Sequence, residues 1–225
     1  IMAGGEGNRL RPLTEKIPKP MVDINGIPLL ERQIRGLEKT GIKTIYISIN
    51  YLGQIIKDHF LDGSNFGVTI HYLEEEKKLG TGGALSLLPS LDKDGTLLVM
   101  NGDIFTNSDF VNLYHFHKEH KSLITMSAID YHVSIPYGVI ESNAAKVTGL
   151  QEKPSQRFFC NAGIYAISVD ILQKVPTETF WNMTDLIELC LVDKENVSVF
   201  PVHEYWTDIG TAEDLVNARK ISESE

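Results

Sequence analysis

The sequence predicts an α/β fold in which a largely parallel sheet carries helices on both faces. Three short apolar runs have the length and composition of buried strands, at residues 43–50, 68–73 and 96–100. Runs with near-helical apolar spacing precede or separate these strands, at residues 28–39, 52–60 and 83–88. Because strands that alternate with helices are joined by crossovers, this alternation predicts parallel neighbours.

The pattern changes in the second half of the chain. Strand-like runs follow one another with only short turns between them, at residues 122–129, 137–141 and 146–151. We therefore expect a small antiparallel or mixed extension of the sheet that faces the substrate. Thr211 and Asp214 form a capping-box-like start for a last helix, which should end near Ile221.

Residues 1–225 contain no internal repeat or linker, so a single domain is the simplest organisation. Only Ile1, Met2 and Ala3 precede a glycine-rich segment, whereas a buried strand usually needs about 4–6 residues before such a turn. We therefore expect that residues upstream of Ile1 are missing from this sequence.

Composition excludes several classes of protein. Hydrophobic residues make up 42% of the 225 residues, which suits a packed core and is too much for a disordered chain. No apolar run approaches the roughly 20 residues that span a bilayer. With 30 acidic and 21 basic side chains the net charge is −9, so we expect neither membrane nor nucleic-acid binding. Two cysteines, Cys160 and Cys190, cannot build a disulfide framework, which predicts a cytoplasmic protein.

The glycine-rich loop that follows residue 3 is the first candidate site. Gly4, Gly5 and Gly7 allow the main-chain amides to converge on an anion. Neither of the two better-known phosphate loops fits, because the G-x-x-x-x-G-K-[ST] pattern is absent and Leu10 stands where the dinucleotide fingerprint needs its third glycine. An NAD-dependent oxidoreductase is therefore a weak alternative.

Cations follow this loop. Arg9 and Arg11 present planar groups that suit phosphate oxygens. Lys19 stands between Pro18 and Pro20, which predicts an extended backbone at Lys19 and a side chain directed into the site. The alternative is a solvated turn rich in glycine and proline, which the accompanying cations disfavour.

Two aspartates far apart in the sequence are candidate metal ligands. Asp103 follows the apolar run 96–100, and ligands of open α/β sheets bind at the carboxyl ends of strands. Asp208 precedes the last predicted helix. Two carboxylates that meet in a phosphate site provide the hard oxygen ligands of Mg²⁺. Taken alone, each aspartate would be interpreted as a cap or turn residue.

Together these segments resemble the sugar-1-phosphate nucleotidyltransferases, in family order and over nearly the whole chain. The matching motifs are AGGEGNRLRPLT at residues 3–14, PKPM at 18–21, LGTGGA at 79–84, NGD at 101–103, YGV at 137–139, EKP at 152–154, NAGIY at 161–165 and WTDIG at 206–210. The chain is most similar to mannose-1-phosphate guanylyltransferase-like cores, including a subgroup whose core follows regulatory CBS modules.

The resemblance implies a Rossmann-like mixed α/β core and the reaction of a nucleoside triphosphate with a sugar 1-phosphate, with Mg²⁺ as cofactor. A homo-oligomer and an N-terminal regulatory module are further expectations. Asp103 would act in catalysis as well as holding the metal with Asp208. The resemblance assigns nucleotide contacts to Ala3, Gly4, Gly5, Gly7, Gly80, Thr81 and Gly82, the β- and γ-phosphates to Arg9, and the transition-state phosphates to Lys19.

The resemblance also implies a sugar-phosphate site. Gly138 and Asn161 would face the sugar, Glu152 would accept hydrogen bonds from its hydroxyls, and Lys153 would hold its 1-phosphate. An alternative from another functional class is a catalytically silent subunit that binds nucleotide sugars. Such a subunit would be expected to have lost residues such as Lys19, which is present here.

Glu75 bears on the choice of base. Alignment with the family around Gly80 puts Glu75 near the base edge, and a carboxylate accepts from the adjacent N1–H and N2–H₂ donors of guanine. We therefore expect GTP rather than UTP, dTTP or CTP. The alternative is that Glu75 belongs to a solvated charge run, residues 74–78.

Two further patterns are interpreted as structural. A predicted helix at residues 108–120 carries histidines that cannot all share one metal, and we expect them to lie on a solvated helix face: His115, His117 and His120. We also expect a core or interface role, rather than a cofactor-binding box, for Phe158, Phe159, Phe180 and Trp181.

Overall fold

The computed structural model of the protein describes residues 1–223. Its strands in chain order are β1 (Asp23–Ile24), β2 (Ile27–Pro28), β3 (Thr44–Ile49), β4 (Thr69–Glu74), β5 (Thr96–Met100), β6 (Ile104–Thr106), β7 (Ile124–Ser134), β8 (Val139–Asn143), β9 (Lys146–Gln151), β10 (Ser155–Ser168), β11 (Val197–Pro201) and β12 (Trp206–Asp208).

The α-helices are α1 (Leu29–Lys39), α2 (Gly53–Phe60), α3 (Gly80–Gly83), α4 (Phe110–Glu119), α5 (Met183–Val192) and α6 (Ala212–Ser222). Short 3₁₀ helices fill several connections, at Asn8–Leu10, Leu13–Glu15, Lys19–Met21, Ser64–Phe66, Ala84–Leu87 and Val169–Lys174. Within residues 1–223, no helix has the length and apolar character needed to cross a bilayer.

The central sheet is mixed and mostly parallel, as the sequence predicts. β4 pairs in parallel with β3, and β11 pairs in parallel with β7. β10 lies between β5 and β7 and runs antiparallel to both. β10 is therefore the strand that reverses direction inside the sheet.

Residues 1–3 join the two halves of this sheet. Met2 forms parallel bridges to Ser48 at the end of β3 and to Asn101 just after β5. The Met2 amide donates to the Met100 carbonyl at 2.9 Å, and the Ala3 amide donates to the Ser48 carbonyl at 2.9 Å. The glycine-rich loop therefore starts at the carboxyl edge of the central sheet.

Helices cover both faces of the sheet, as predicted. On one face, buried side chains of α1, α2 and α4 pack on β3 and β5 around Leu30, Ile34, Ile47, Phe60 and Leu113. On the other face, α5 packs on β5 and β10 through Met183, Leu186 and Ile187. A third cluster joins α6 to β1, β6 and the first loop through Ile24, Phe105, Ile209 and Leu215.

Three local predictions are refined by the structure. The predicted helix 83–88 is one turn of α-helix followed by a 3₁₀ turn, because glycines occupy its start. The predicted strand 122–129 is part of β7 in the central sheet, while β8 and β9 form the separate antiparallel hairpin. The capping box at Thr211 is confirmed, with Asp214 completing it and α6 ending at Ser222.

Candidate active site

The glycine-rich loop presents free main-chain amides. Within the described part of the chain, the amides of Gly4, Gly5, Glu6 and Gly7 meet no protein acceptor. The end of the loop is fixed because the Thr14 hydroxyl donates to the Gly7 carbonyl at 2.7 Å. A row of unpaired N–H groups at the carboxyl edge of a sheet is suited to an anionic ligand.

The backbone at Lys19 is not extended, so that prediction is wrong. Lys19 opens the 3₁₀ helix Lys19–Met21, and Pro18 is the extended residue. The Met21 amide donates to the Pro18 carbonyl at 2.8 Å, and the Val22 amide donates to the Lys19 carbonyl at 3.1 Å. These bonds offset the steric preference that a proline imposes on the residue before it. The helix buries Lys19 until only 8% of the residue is exposed.

Strand pairing brings the two distant aspartates onto this lysine. β12 lies antiparallel to β6 with Asp208 opposite Ile104, and the Ile209 amide donates to the Asp103 carbonyl at 2.9 Å. Lys19 Nζ consequently lies 2.5 Å from Asp103 Oδ2 and 3.2 Å from Asp208 Oδ1. The chain thus builds a cluster of one ammonium and two carboxylates from three separate segments.

The second carboxylate of this cluster is electrostatically unfavourable as an anion. Burial raises the pKa of Asp208 above its usual value, and the neighbouring Asp103 carboxylate raises it further, while Lys19 and Arg9 act in the opposite direction. Arg9 Nη2 lies 3.8 Å from Asp208 Oδ2 on an exposed side chain. Additional positive charge at this point would therefore stabilise the ionised pair.

A cavity of about 250 Å³ joins the loop to the lysine cluster. Among the predicted site residues, its walls include Ala3, Gly4, Gly5, Lys19, Glu75, Gly80, Thr81 and Asp103. The cavity walls also include four residues that the sequence did not indicate as site residues, namely Lys78, Asn101, Phe180 and Asn182. A larger cavity of about 420 Å³ lies between β3 and β5, but its lining is mainly apolar and includes no lysine, arginine or carboxylate.

Glu75 belongs to the cavity wall rather than to a solvated charge run. Its Oε2 accepts a hydrogen bond from the Leu79 amide at 3.0 Å. Its Oε1 faces the first loop, since a Cβ atom built on Gly4 would lie 2.8 Å from it. The Glu75 amide is itself held by the Ile49 carbonyl at the end of β3, at 2.9 Å.

The remaining predicted residues lie beside the cavity. Gly7 packs against Lys19 and Thr14. Gly82 is buried and packs against the backbone of Asn182. Arg9 stands at the Asp208 side of the cluster.

The four predicted sugar-phosphate residues are exposed and do not line this cavity. Gly138 lies close to the Glu152 carboxylate, because a Cβ atom there would be 3.1 Å from Glu152 Oε2. Lys153 adjoins them with a positive φ of 44°. Asn161 lies on β10, where its Oδ1 accepts from the Gly163 amide at 2.9 Å.

Asn161 is linked to the cavity through the sheet. The Gly163 carbonyl accepts a hydrogen bond from the main-chain N–H of Asn101 at 3.0 Å, and Asn101 lines the cavity. Next to Asn161 on β10, the Ala162 carbonyl accepts a hydrogen bond from Trp206 Nε1 at 2.9 Å. This bond connects β12, which contains Asp208, to β10.

One structural interpretation is wrong, and the core position considered for Phe180 is also excluded. His117 does not lie on a solvated face, because α4 turns it inwards to Thr125 Oγ1 at 2.9 Å and Ser168 Oγ at 3.2 Å. Burial lowers the pKa of His117 below its usual value. Phe180 does not lie in the core, because it is 57% exposed and lines the cavity.

Comparison with known proteins identifies similar chains. A family model described as nucleotidyl transferase matches residues 1–225. A mannose-1-phosphate guanylyltransferase of Mycobacterium tuberculosis is 28% identical over 96% of this chain and 62% of its own length. The bifunctional protein GlmU of Methanococcus aeolicus is 35% identical over 97% of this chain and 52% of its own length. The chain thus spans between about half and two thirds of these curated relatives.

Solved structures are also similar, among them one that matches over nearly its full length. The crystal structure of HddC from Yersinia pseudotuberculosis complexed with GMP-PN has a TM-score of 0.73 and 26% sequence identity. The match covers 98% of this chain and 97% of that chain.

Proposed function

Because the chain belongs to the nucleotidyl transferase family, we propose that it transfers a nucleoside monophosphate from a nucleoside triphosphate to a sugar 1-phosphate. The observation that carries this proposal is the position of Lys19. It contacts both Asp103 and Asp208, and it lines one cavity with the glycine-rich loop. Free amides and a buried ammonium suit a polyphosphate ligand, and the two carboxylates suit the divalent cation that accompanies one.

The reaction requires alignment and charge compensation rather than proton transfer. An oxygen of the sugar 1-phosphate attacks the α-phosphorus of the triphosphate, forming one P–O bond. The bond to the β-phosphate oxygen breaks, and pyrophosphate leaves with the electron pair. The nucleophile is already anionic, so no general base is needed. Lys19 and Arg9 offset the charge on the phosphates, and the loop amides hold them in place.

The carboxylate pair fits Mg²⁺. Asp103 and Asp208 both reach the single ammonium of Lys19, so their oxygens converge on one point. Two carboxylates together with phosphate oxygens form the hard-oxygen set that Mg²⁺ takes while keeping several waters. In the described residues no group of three or more histidine, cysteine, aspartate or glutamate side chains is arranged around a metal site. When bound, Mg²⁺ supplies Lewis-acid stabilisation of phosphate charge.

GTP is the nucleotide that we propose. Glu75 directs a carboxylate into the cavity, and guanine offers two adjacent donors to such a group. The relative from Mycobacterium tuberculosis is named as a guanylyltransferase, and the similar HddC structure contains GMP-PN. Both names support a guanine nucleotide for this chain.

The sugar 1-phosphate is proposed to lie between the cavity and the β8–β9 hairpin. Glu152 stands close to Gly138 on the hairpin side, and Lys153 adds a cation beside it. Asn161 approaches the cavity from β10 through Gly163. Carboxylate and amide groups suit sugar hydroxyls, and a lysine suits the phosphate.

The test is a screen for pyrophosphate release over a grid of nucleoside triphosphates and sugar 1-phosphates with Mg²⁺. We expect GTP to be used best. Lys19→Ala and Asp103→Asn should each lower turnover at least tenfold. Lys174→Ala is a matched control, because Lys174 Nζ also contacts two carboxylates, Asp193 at 2.6 Å and Glu195 at 3.3 Å, without lining the cavity.

Two results would overturn the proposal. One is unchanged turnover in the Lys19 and Asp103 variants. The other is tight binding of a nucleoside diphosphate sugar with no pyrophosphate release from any pair in the grid, which would identify a silent binding subunit.

A further inference from the structure

The segment at residues 179–183, which leads into α5, is hydrogen-bonded to the short helix α3. The amides of Gly82 and Gly83 both donate to the Trp181 carbonyl at 2.8 Å. The Met183 amide donates to Thr81 Oγ1 at 3.0 Å. These bonds hold the segment at a fixed position relative to the cavity wall that contains Gly80 and Thr81.

Close packing explains why this wall is rich in glycine. A Cβ atom on Gly80 would lie 2.6 Å from the Trp181 carbonyl oxygen, and Gly80 has a φ of +76°. A Cβ atom on Gly82 would lie 2.8 Å from the Asn182 carbonyl oxygen. Both clashes are with backbone atoms of the same chain. The glycines therefore allow the segment 179–183 to pack closely against this wall.

This packing places Phe180 in the wall of the cavity. It is 57% exposed and lines the cavity with Gly80, Thr81 and Lys78. An exposed aromatic ring at the wall of a cavity is stabilised when a planar ligand covers it.

Phe180 and Glu75 both line the cavity, and one residue, Leu79, connects their segments. The Leu79 amide donates to Glu75 Oε2 at 3.0 Å, and the Leu79 carbonyl accepts from the Trp181 amide at 2.8 Å. The cavity wall therefore combines a carboxylate, which accepts hydrogen bonds from donors, with the face of an aromatic ring. A nucleobase presents both a donor-bearing edge and a flat apolar face, which phosphates lack.

We propose that Phe180 is a nucleotide-binding residue that stacks on the base, and that the glycines of α3 position it. This inference rests on the proposed function, in which a nucleoside triphosphate occupies the cavity. Stacking tolerates every base because each has a π-face. Phe180 therefore contributes affinity, and the choice among bases is left to Glu75.

The experiment measures binding by isothermal titration calorimetry with Mg²⁺ and no sugar phosphate. The ligands are GTP, UTP and inorganic triphosphate, the last of which has no base. We expect Phe180→Ala to weaken GTP and UTP binding about tenfold or more, in line with the loss of one base–aromatic stack, and to leave triphosphate binding within about twofold. Phe180→Trp should retain GTP affinity within about threefold.

Phe159→Ala is the matched control. Phe159 is 61% exposed on β10 and does not line the cavity, so this variant should bind GTP like the wild type. Because Phe180 is exposed, Phe180→Ala should fold, and its circular dichroism spectrum and melting temperature check this.

Three outcomes would overturn the inference. Phe180→Ala could bind GTP with wild-type affinity, or it could lose triphosphate binding as strongly as GTP binding. It could also weaken only a sugar phosphate titrated separately, which would assign the ring to the sugar. If the wild type binds GTP but releases no pyrophosphate, the proposed function fails while the stacking result still stands on its own measurement.

Discussion

Replacing Gly82 by alanine should destabilise the protein and weaken GTP binding together. The new Cβ atom would lie 2.8 Å from the Asn182 carbonyl oxygen, which belongs to the backbone and cannot rotate away. Overpacking of this kind costs about 1–3 kcal/mol. For a domain of roughly 150–250 residues, each 1 kcal/mol shifts the melting temperature by about 2–4 °C. We therefore expect a decrease of about 2–12 °C.

Gly36→Ala provides the control for this prediction. Gly36 lies inside α1, and a Cβ atom there would meet no atom within 4 Å. Alanine is favoured over glycine inside a helix by about 0.5–1 kcal/mol, so the melting temperature should rise by about 1–4 °C. Thermal unfolding followed by circular dichroism measures both variants, and a GTP titration at about 20 °C, below both transitions, measures binding.

The comparison is decisive in two ways. Equal melting temperatures for the two variants would show that residues 179–183 move aside at no cost, which refutes the packing argument. A lower melting temperature for Gly82→Ala with unchanged GTP affinity would refute the link between α3 and the ligand.

Three further predictions concern charge. Asp208→Asn should lower turnover at least tenfold yet raise the melting temperature at pH 7. The folded protein raises the pKa of the Asp208 carboxyl above 3.8, so the protonated carboxyl stabilises the fold at low pH. This stabilisation is lost as the pH rises through the folded pKa. His117 has a folded pKa below 6.5, so the urea midpoint should fall as the pH drops below about 6.5, and His117→Gln should flatten this dependence. Glu75→Gln should shift the ratio of GTP to UTP turnover towards UTP, because an amide both donates and accepts.

Each of these has a contrary outcome. A lower melting temperature for Asp208→Asn would mean that its carboxylate stabilises the fold. An unchanged pH profile in the His117 variant would assign the acid sensitivity to other groups. An unchanged ratio of GTP to UTP turnover in Glu75→Gln would mean that Glu75 does not select the base and only accepts the hydrogen bond from the Leu79 amide.

The parts of the fold that depend on local signals could be predicted from the sequence. The apolar run 96–100 is β5, and the capping box at Thr211 starts α6, because both depend on residues within a few positions of each other. β10 could not be found in this way. Its first half is exposed and its second half is buried, so no single periodicity runs through its 14 residues.

Some candidate site residues could likewise be identified from the sequence, whereas others depend on packing that the sequence does not show. The loop, Lys19 and the two aspartates are identifiable by residue type and motif, and the structure brings Lys19, Asp103 and Asp208 into contact. Phe180 gives no such signal, because its place in the cavity depends on the packing of residues 179–183 against α3. The prediction for His117 is wrong for a related reason: helical spacing does not show that Thr125 and Ser168 supply buried partners.

The bond between Lys19 and Asp208 joins residues 189 positions apart. Closing so long a span costs entropy that local contacts cannot recover, and contacts of this separation slow folding. During synthesis, the glycine loop, Lys19 and Asp103 are all made long before the strand that delivers Asp208. A ribosome-bound chain that lacks β12 should therefore already hold much of the central sheet. It could not yet assemble the cluster of Lys19, Asp103 and Asp208, which would form late in translation.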